Sequence, residues 1–96
     1  MTLEEGRRKF DKMLKDSQTF PKIDTVAEYW IARALFEEAN DEFDEVVFLY
    51  DLALKCNAEP TDFICQGLNA FMLRRRDALI EEEIKKYKQV VFEIIN

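Results

Sequence analysis

Residues 27–60, AEYWIARALFEEANDEFDEVVFLYDLALKCNAEP, decide the fold. The stretch reads as two amphipathic helices joined by a short acidic turn. On the first, Ala27, Trp30, Ile31, Ala34, Leu35 and Glu38 recur at helical spacing, apolar until the last. On the second, Phe43, Val46, Val47, Tyr50, Ala53 and Leu54 do the same. Thr25 with Glu28 three residues later has the pattern of a capping box, and Asp24 is a rival cap. Asp41 is the expected N-cap of the second helix, with Asp44 and Glu45 well placed against its dipole. Trp30 and Ala34 on one helix and Tyr50 and Ala53 on the other are read as core, so the hairpin should close on itself and stack against further helices.

Outward from this hairpin the pattern stays helical. Thr2 is a cap for a first helix over Leu3 to Lys15, with Leu3, Phe10 and Leu14 on one face. The run DSQTFPK, residues 16–22, is a loop because Pro21 and the polar residues stop a helix. After Pro60, a stripe of Phe63, Ile64, Leu68, Phe71 and Met72 marks a fourth helix, with Leu68 and Phe71 read as core. Ile80, Ile84, Tyr87, Val91 and Ile94, spaced four, three, four, three, form another stripe. The two stripes are out of phase. A break around Arg74–Asp77 reconciles them and predicts five helices; one long helix with a shifted face is the alternative, since no Gly or Pro interrupts the joint. Glu81 with Lys85 and Glu82 with Lys86 are favourable i,i+4 pairs. The expected architecture is a single all-α domain over residues 1–96, a compact bundle of about five helices: a leading helix at 1–15, the hairpin at 25–56 and C-terminal helices at 61–95.

Composition supports that class. Only two Gly and two Pro occur in 96 residues, too few turn formers for a sandwich or barrel. No apolar run approaches the ~20 residues of a membrane span, and no signal-peptide pattern is present. Cys56 and Cys65 are the only cysteines and histidine is absent, which suggests no metal site and reads as two free, buried thiols in a reducing compartment, cytoplasm or nucleus. The charge is uneven. Residues 28–62 hold ten acids against Arg33 and Lys55, a net −8 within a total of −6. An acidic middle disfavours duplex nucleic acid, whose phosphates it repels, and permits a basic partner.

The chemistry-bearing residues are few. Asp41, Glu42, Asp44 and Glu45 lack the alternate-position ligands, glycine and closing glutamate of a calcium loop, and helix capping accounts for them. Neither a GxSxG elbow nor a glycine-rich phosphate loop occurs, so no catalytic residue, metal ligand or cofactor is expected and enzyme function is set aside. Arg74, Arg75 and Arg76 are the one concentrated basic feature; they complement a helix C-terminus or dock carboxylates and phosphates. A second basic group is Arg7, Arg8 and Lys9; if folding joined the two, an acidic protein tail would fit them. The candidate partner-binding residues are therefore the acidic turn (Asp41, Glu42, Asp44, Glu45) and the basic joint (Arg74, Arg75, Arg76). The seven-residue stripe Ile80–Ile94 suits a helix–helix seam. Ordinary packing within the chain is its expected use, with a homodimer or partner surface the alternative.

Trp30, Ala34 and Glu37, followed by Val46, Tyr50 and Ala53-Leu54, resemble the half-a-TPR unit, a variant of the tetratricopeptide repeat. Val46 is larger than the small residue usual at its place, and Arg33 and Glu37 depart from the tetratricopeptide pattern proper. The resemblance covers about a third of the chain and implies a non-enzymatic scaffold that binds another protein. The order of EEGRRKFDKMLK, AEYWIARALFEE and VVFLYDLALKCNAEP is also similar to the C-terminal region of the cytoskeleton-associated protein 2 family, although that family's Lys-rich stretches are missing. That second resemblance implies a mitotic-spindle setting, with tubulin or a spindle component as partner.

Overall fold

The computed structural model describes residues 1–95. Helix α1 spans Leu3–Lys15, a 3-10 turn covers Ile23–Thr25, and α2 (Ala27–Ala39) and α3 (Phe43–Lys55) form the hairpin. Helix α4 runs without interruption over Thr61–Ile95. Among the described residues the fold is all-α with four α-helices, not five, and no break occurs at Arg74–Asp77. Arg74, Arg75 and Arg76, with Leu73 before them and Ala78 and Leu79 after Asp77, are strong helix formers and carry the helix through the joint. The phase shift between the two stripes is accommodated by one helix that shows a different face to each half of its surroundings.

Helix ends explain two further corrections. Asp41 does not cap α3. It sits at φ 60° as the left-handed residue after α2, where its N–H bonds to Glu38 O (3.0 Å) and the Glu42 N–H reaches back to Glu37 O (3.0 Å). Asn57 ends α3 in the same way at φ 56°, with Ala58 N–H on Ala53 O (3.1 Å). Both are Schellman motifs built on Asp and Asn, the side chains that best tolerate this conformation in place of glycine. The capping box at Thr25 is not formed either: its hydroxyl donates to Lys22 O (2.7 Å), and Val26 precedes α2 without a side-chain cap. The first donor of α2 is satisfied from outside, Ala27 N–H giving to Glu59 O (2.8 Å) while Glu59 N–H gives to Thr25 O (2.9 Å). A two-bond backbone clasp thus ties the start of α2 to the connection before α4. Thr2 does cap α1, accepting from Glu5 N–H at 3.2 Å.

The core lies inside the hairpin and under the first half of α4. Ala27, Trp30, Ala34, Val46, Leu49, Tyr50 and Ala53 are buried, closed over by Ala58, Ile64 and Phe71, while Leu68 is half-buried at the margin. Trp30 donates its indole N–H to Asp24 O (2.8 Å) and stands edge-on to Tyr29 at 5.0 Å. Gly67 lets α4 approach α3, since a Cβ there would lie 2.8 Å from the Tyr50 hydroxyl. Helix α1 covers the other side of α2, which is why Tyr29 and Glu37 are buried whereas Leu35 faces water. Gly6 of α1 lies against the Phe36 ring and leaves no room for a side chain. Tyr29 fixes this contact by donating to Phe10 O (2.8 Å) and accepting from Arg33 (3.0 Å), which also grips Asp11 at 2.8 Å.

The second half of α4 stands apart. A straight helix of 35 residues is ~52 Å long, and the molecule measures 67 × 30 × 14 Å. Phe71 is the last buried residue, and every residue from Leu79 to Ile95 is exposed. The bundle is therefore extended rather than compact at this end. Cys65 is likewise exposed, not buried; Cys56 is half-buried, and burial, with Asp24 nearby, pushes its thiol above the usual range. Both cysteines are free.

Candidate interaction surface

The basic joint is largely occupied within the chain. The Arg74 guanidinium forks onto Glu38, with both N···O distances 2.7 Å. Arg75 lies over the Phe43 ring at 3.7 Å, a cation–π contact that pins α4 to the start of α3. Arg76 reaches only its neighbour Asp77, at 3.3 Å on the exposed surface. The acidic turn is partly used as well. Asp41 makes the left-handed turn, Glu42 leads into α3, and Asp44 and Glu45 occupy its first turn. Glu42 and Glu45 lie in the field of Arg7, which binds the buried Glu37 at 2.6 Å; the hydrogen bond to Glu37 chiefly holds the Arg7 pKa above its ordinary value.

The two basic groups do not come together. Arg7 and Arg74 bind Glu37 and Glu38, consecutive residues of α2 that point ~100° apart around the helix. Each cation fastens one flanking helix to α2, so the pair of glutamates is a structural clamp and no shared anion pocket exists between them. The Arg74 fork holds the Glu38 carboxyl below the usual glutamate range, against the opposing effect of burial. The sign of its pH dependence follows. A carboxyl depressed in the folded state stabilises the fold above its ordinary value of 4.5 and loses that contribution as pH falls through the depressed value. Urea midpoints for the native chain and Arg74→Ala, measured from pH 7 to pH 3, should therefore converge on the acid side; an unchanged gap at all pH values would show that the fork adds nothing.

The uncommitted surface is the apolar row of α4. Arg76, Leu79, Ile80, Glu83, Ile84 and Tyr87 line a shallow groove, which continues toward the head past Asn69, Met72 and Leu73. Beyond it Val91 and Ile94 extend the row. Phe71 is 3% exposed against 67% for Tyr87 and 77% for Ile94. Nine residues separate Phe71 from Ile80, about half a turn net, so the outer row faces away from the side that seats on α2 and α3. The stripe is therefore not packed within the chain. Leu73, one heptad before Ile80, is in phase with this row, whereas Leu79 flanks it and Met72, which the sequence groups with Phe71, is exposed beside it. On the polar side, Lys86 pairs with Glu83 at 3.5 Å, an i,i+3 contact in place of the expected i,i+4 pair with Glu82.

Among the described residues no group of three or more His, Cys, Asp or Glu side chains is arranged to hold a metal ion. Among the same residues no helix is long and apolar enough to cross a membrane. No protein-family model, curated protein or solved structure matches the chain. Among the described residues the fold is that of a small all-helical protein with four α-helices, the C-terminal one long.

Proposed function

We propose that this chain is a non-enzymatic protein-association module. Helices α1 to α3 and the first half of α4 make a folded head, and the second half of α4 offers its apolar row to another protein. One observation carries the reading: a contiguous line of large apolar side chains, Leu79, Ile80, Ile84, Tyr87, Val91 and Ile94, lies exposed on a single helix. Exposed apolar rows of this kind mark sites of association. The head also has a physical role in presenting the row. An isolated helix has to bear a costly nucleation step, and growth of residues 77–95 from an already packed helix removes that cost.

The repeat-like character of the hairpin supports a scaffold role. Of the residues that carry the half-a-TPR resemblance, Trp30, Ala34, Glu37, Val46, Tyr50 and Ala53 are buried, while Leu54 is exposed. A lone hairpin of that type leaves faces to be covered, and α1 and α4 cover them. The spindle setting and tubulin as partner rest on the second sequence resemblance alone. The test is the double variant Tyr87→Glu/Val91→Glu. It should keep the native helical signal and lose association, read by light scattering and by co-sedimentation with microtubules. Association that survives both substitutions would move the contact to the acidic turn Asp41–Glu45 and end this reading.

A further inference from the structure

The charges that border the apolar row identify what fits it. Arg76, Glu81 and Glu83 border the row before Ile84 and Lys88 borders it beyond, whereas Glu82, Lys85 and Lys86 lie toward the opposite side of the helix. Such a helix is complementary to a second copy of itself. An antiparallel pair sets Glu81 against Lys88, a parallel pair sets Arg76 against Glu81 and Glu83 against Lys88, and the charge on the heads decides between the two directions. We propose that the row is covered by the same row of a second copy of this chain, the two α4 helices running antiparallel; this deepens the association reading above and rests on it.

The heptad spacing sets the register. Ile80, Ile84, Tyr87 and Val91 alternate as the two seam positions of a coiled coil. Antiparallel alignment centred between Ile84 and Tyr87 places Ile84 against Tyr87 of the second copy and Ile80 against Val91 of the second copy, each twice by symmetry. Glu81 flanks the layers of Ile80 and Ile84, and Lys88 flanks those of Tyr87 and Val91. The same alignment therefore sets Glu81 beside Lys88 of the second copy, again twice. Among the described residues neither Glu81 nor Lys88 has an ion-pair partner in its own chain. The seam ends at Asp77, where polar side chains return.

Long-range charge favours the same orientation. Residues 1–76 hold fifteen acids and eleven bases, a net −4. An antiparallel pair sends these two heads to opposite ends, whereas a parallel pair sets them side by side. Because the head seats on the opposite side of α4, it does not obstruct the seam. An overlap over residues 77–94 is ~27 Å long, a small interface, so a weak, concentration-dependent dimer is expected.

Charge reversal tests the proposal on the full chain by sedimentation equilibrium, with helicity checked by circular dichroism. Glu81→Lys and Lys88→Glu should each weaken the dimer on the order of tenfold, because each sets two like-charged pairs at the seam. The double variant Glu81→Lys/Lys88→Glu should recover the native constant, and the two single variants mixed together should pair with each other. In a parallel pair Glu81 and Lys88 would instead face Arg76 and Glu83 of the second copy, so the double variant would be weaker than either single one. That result would overturn the antiparallel register and leave the association surface standing. A native chain that stays monomeric up to millimolar concentration would overturn the second copy as occupant, with the row still open to another protein. A dimer untouched by Tyr87→Glu/Val91→Glu would overturn both.

Discussion

Trp30→Ala is expected to destabilise the chain by ~3–5 kcal/mol, the range for deleting a large aromatic from a packed core. Trp30 is 2% exposed, within the core formed by α2, α3 and the start of α4. Its ring packs within the hairpin, and its N–H holds Asp24 O in the turn that leads into α2. The loss therefore combines a cavity with an orphaned carbonyl at the start of the central helix. Small domains retain only ~5–15 kcal/mol in total, and this core draws on a short set of side chains. A urea titration followed by circular dichroism should show the midpoint falling toward zero denaturant. A variant within ~1 kcal/mol of the native chain would mean that α2 and α3 are held by something other than the Trp30 contact.

Arg7→Ala is expected to have the next largest effect, ~2–3 kcal/mol, and the reason is an asymmetry between the two partners. Glu37 has a side chain 2% exposed, and its Oε2 has no hydrogen-bond partner; Arg7 is 38% exposed. Removing the arginine strands a buried carboxylate, whereas removing the carboxylate leaves a guanidinium that can turn to water. Glu37→Met, apolar and of similar length, should consequently be close to neutral. In that background Arg7→Ala should cost less than ~1 kcal/mol. Equal losses for Arg7→Ala in both backgrounds would show that Arg7 acts through its packing and not through Glu37.

These two cases also show what was readable before the fold was known. Trp30, Ala34, Tyr50 and Ala53 stand out in sequence because their spacing matches the helix period, and their partners sit on the adjacent helix across a short turn. Glu37 is visible as part of the same pattern, but its burial depends on Arg7, 30 positions away on a helix whose docking no local pattern reveals. The misplaced caps have a similar origin. Thr25 and Asp41 carry the right chemistry for N-caps, yet the backbone clasp from Glu59 and the left-handed turn at Asp41 satisfy those helix ends by other means.

The candidate site was legible only as an ambiguity. Two apolar stripes out of phase describe a broken helix packed twice on one core, or an unbroken helix with two partners. Both arrangements bury the same residues in the same order, so periodicity alone does not separate them. Helix propensity through Arg74–Asp77 favours continuity, and the fold then leaves Ile80 to Ile94 outside the core. The basic joint shows the converse. Three consecutive arginines look like a binding site, but Glu38 and Phe43 already engage Arg74 and Arg75.

The central claim is that the outer row of α4 belongs to association and not to the core of the chain. Thermal melts of the native protein and of Tyr87→Glu/Val91→Glu, taken at nanomolar to low micromolar concentration where the chain is a monomer, test it most directly. The account predicts coincident melting curves and equal starting helicity for the head, with differences emerging only at concentrations where the native chain associates. A lower midpoint for the head of the variant in the dilute monomer would contradict it, because Tyr87 and Val91 are exposed and lie beyond Phe71, the last residue that α4 buries against the head.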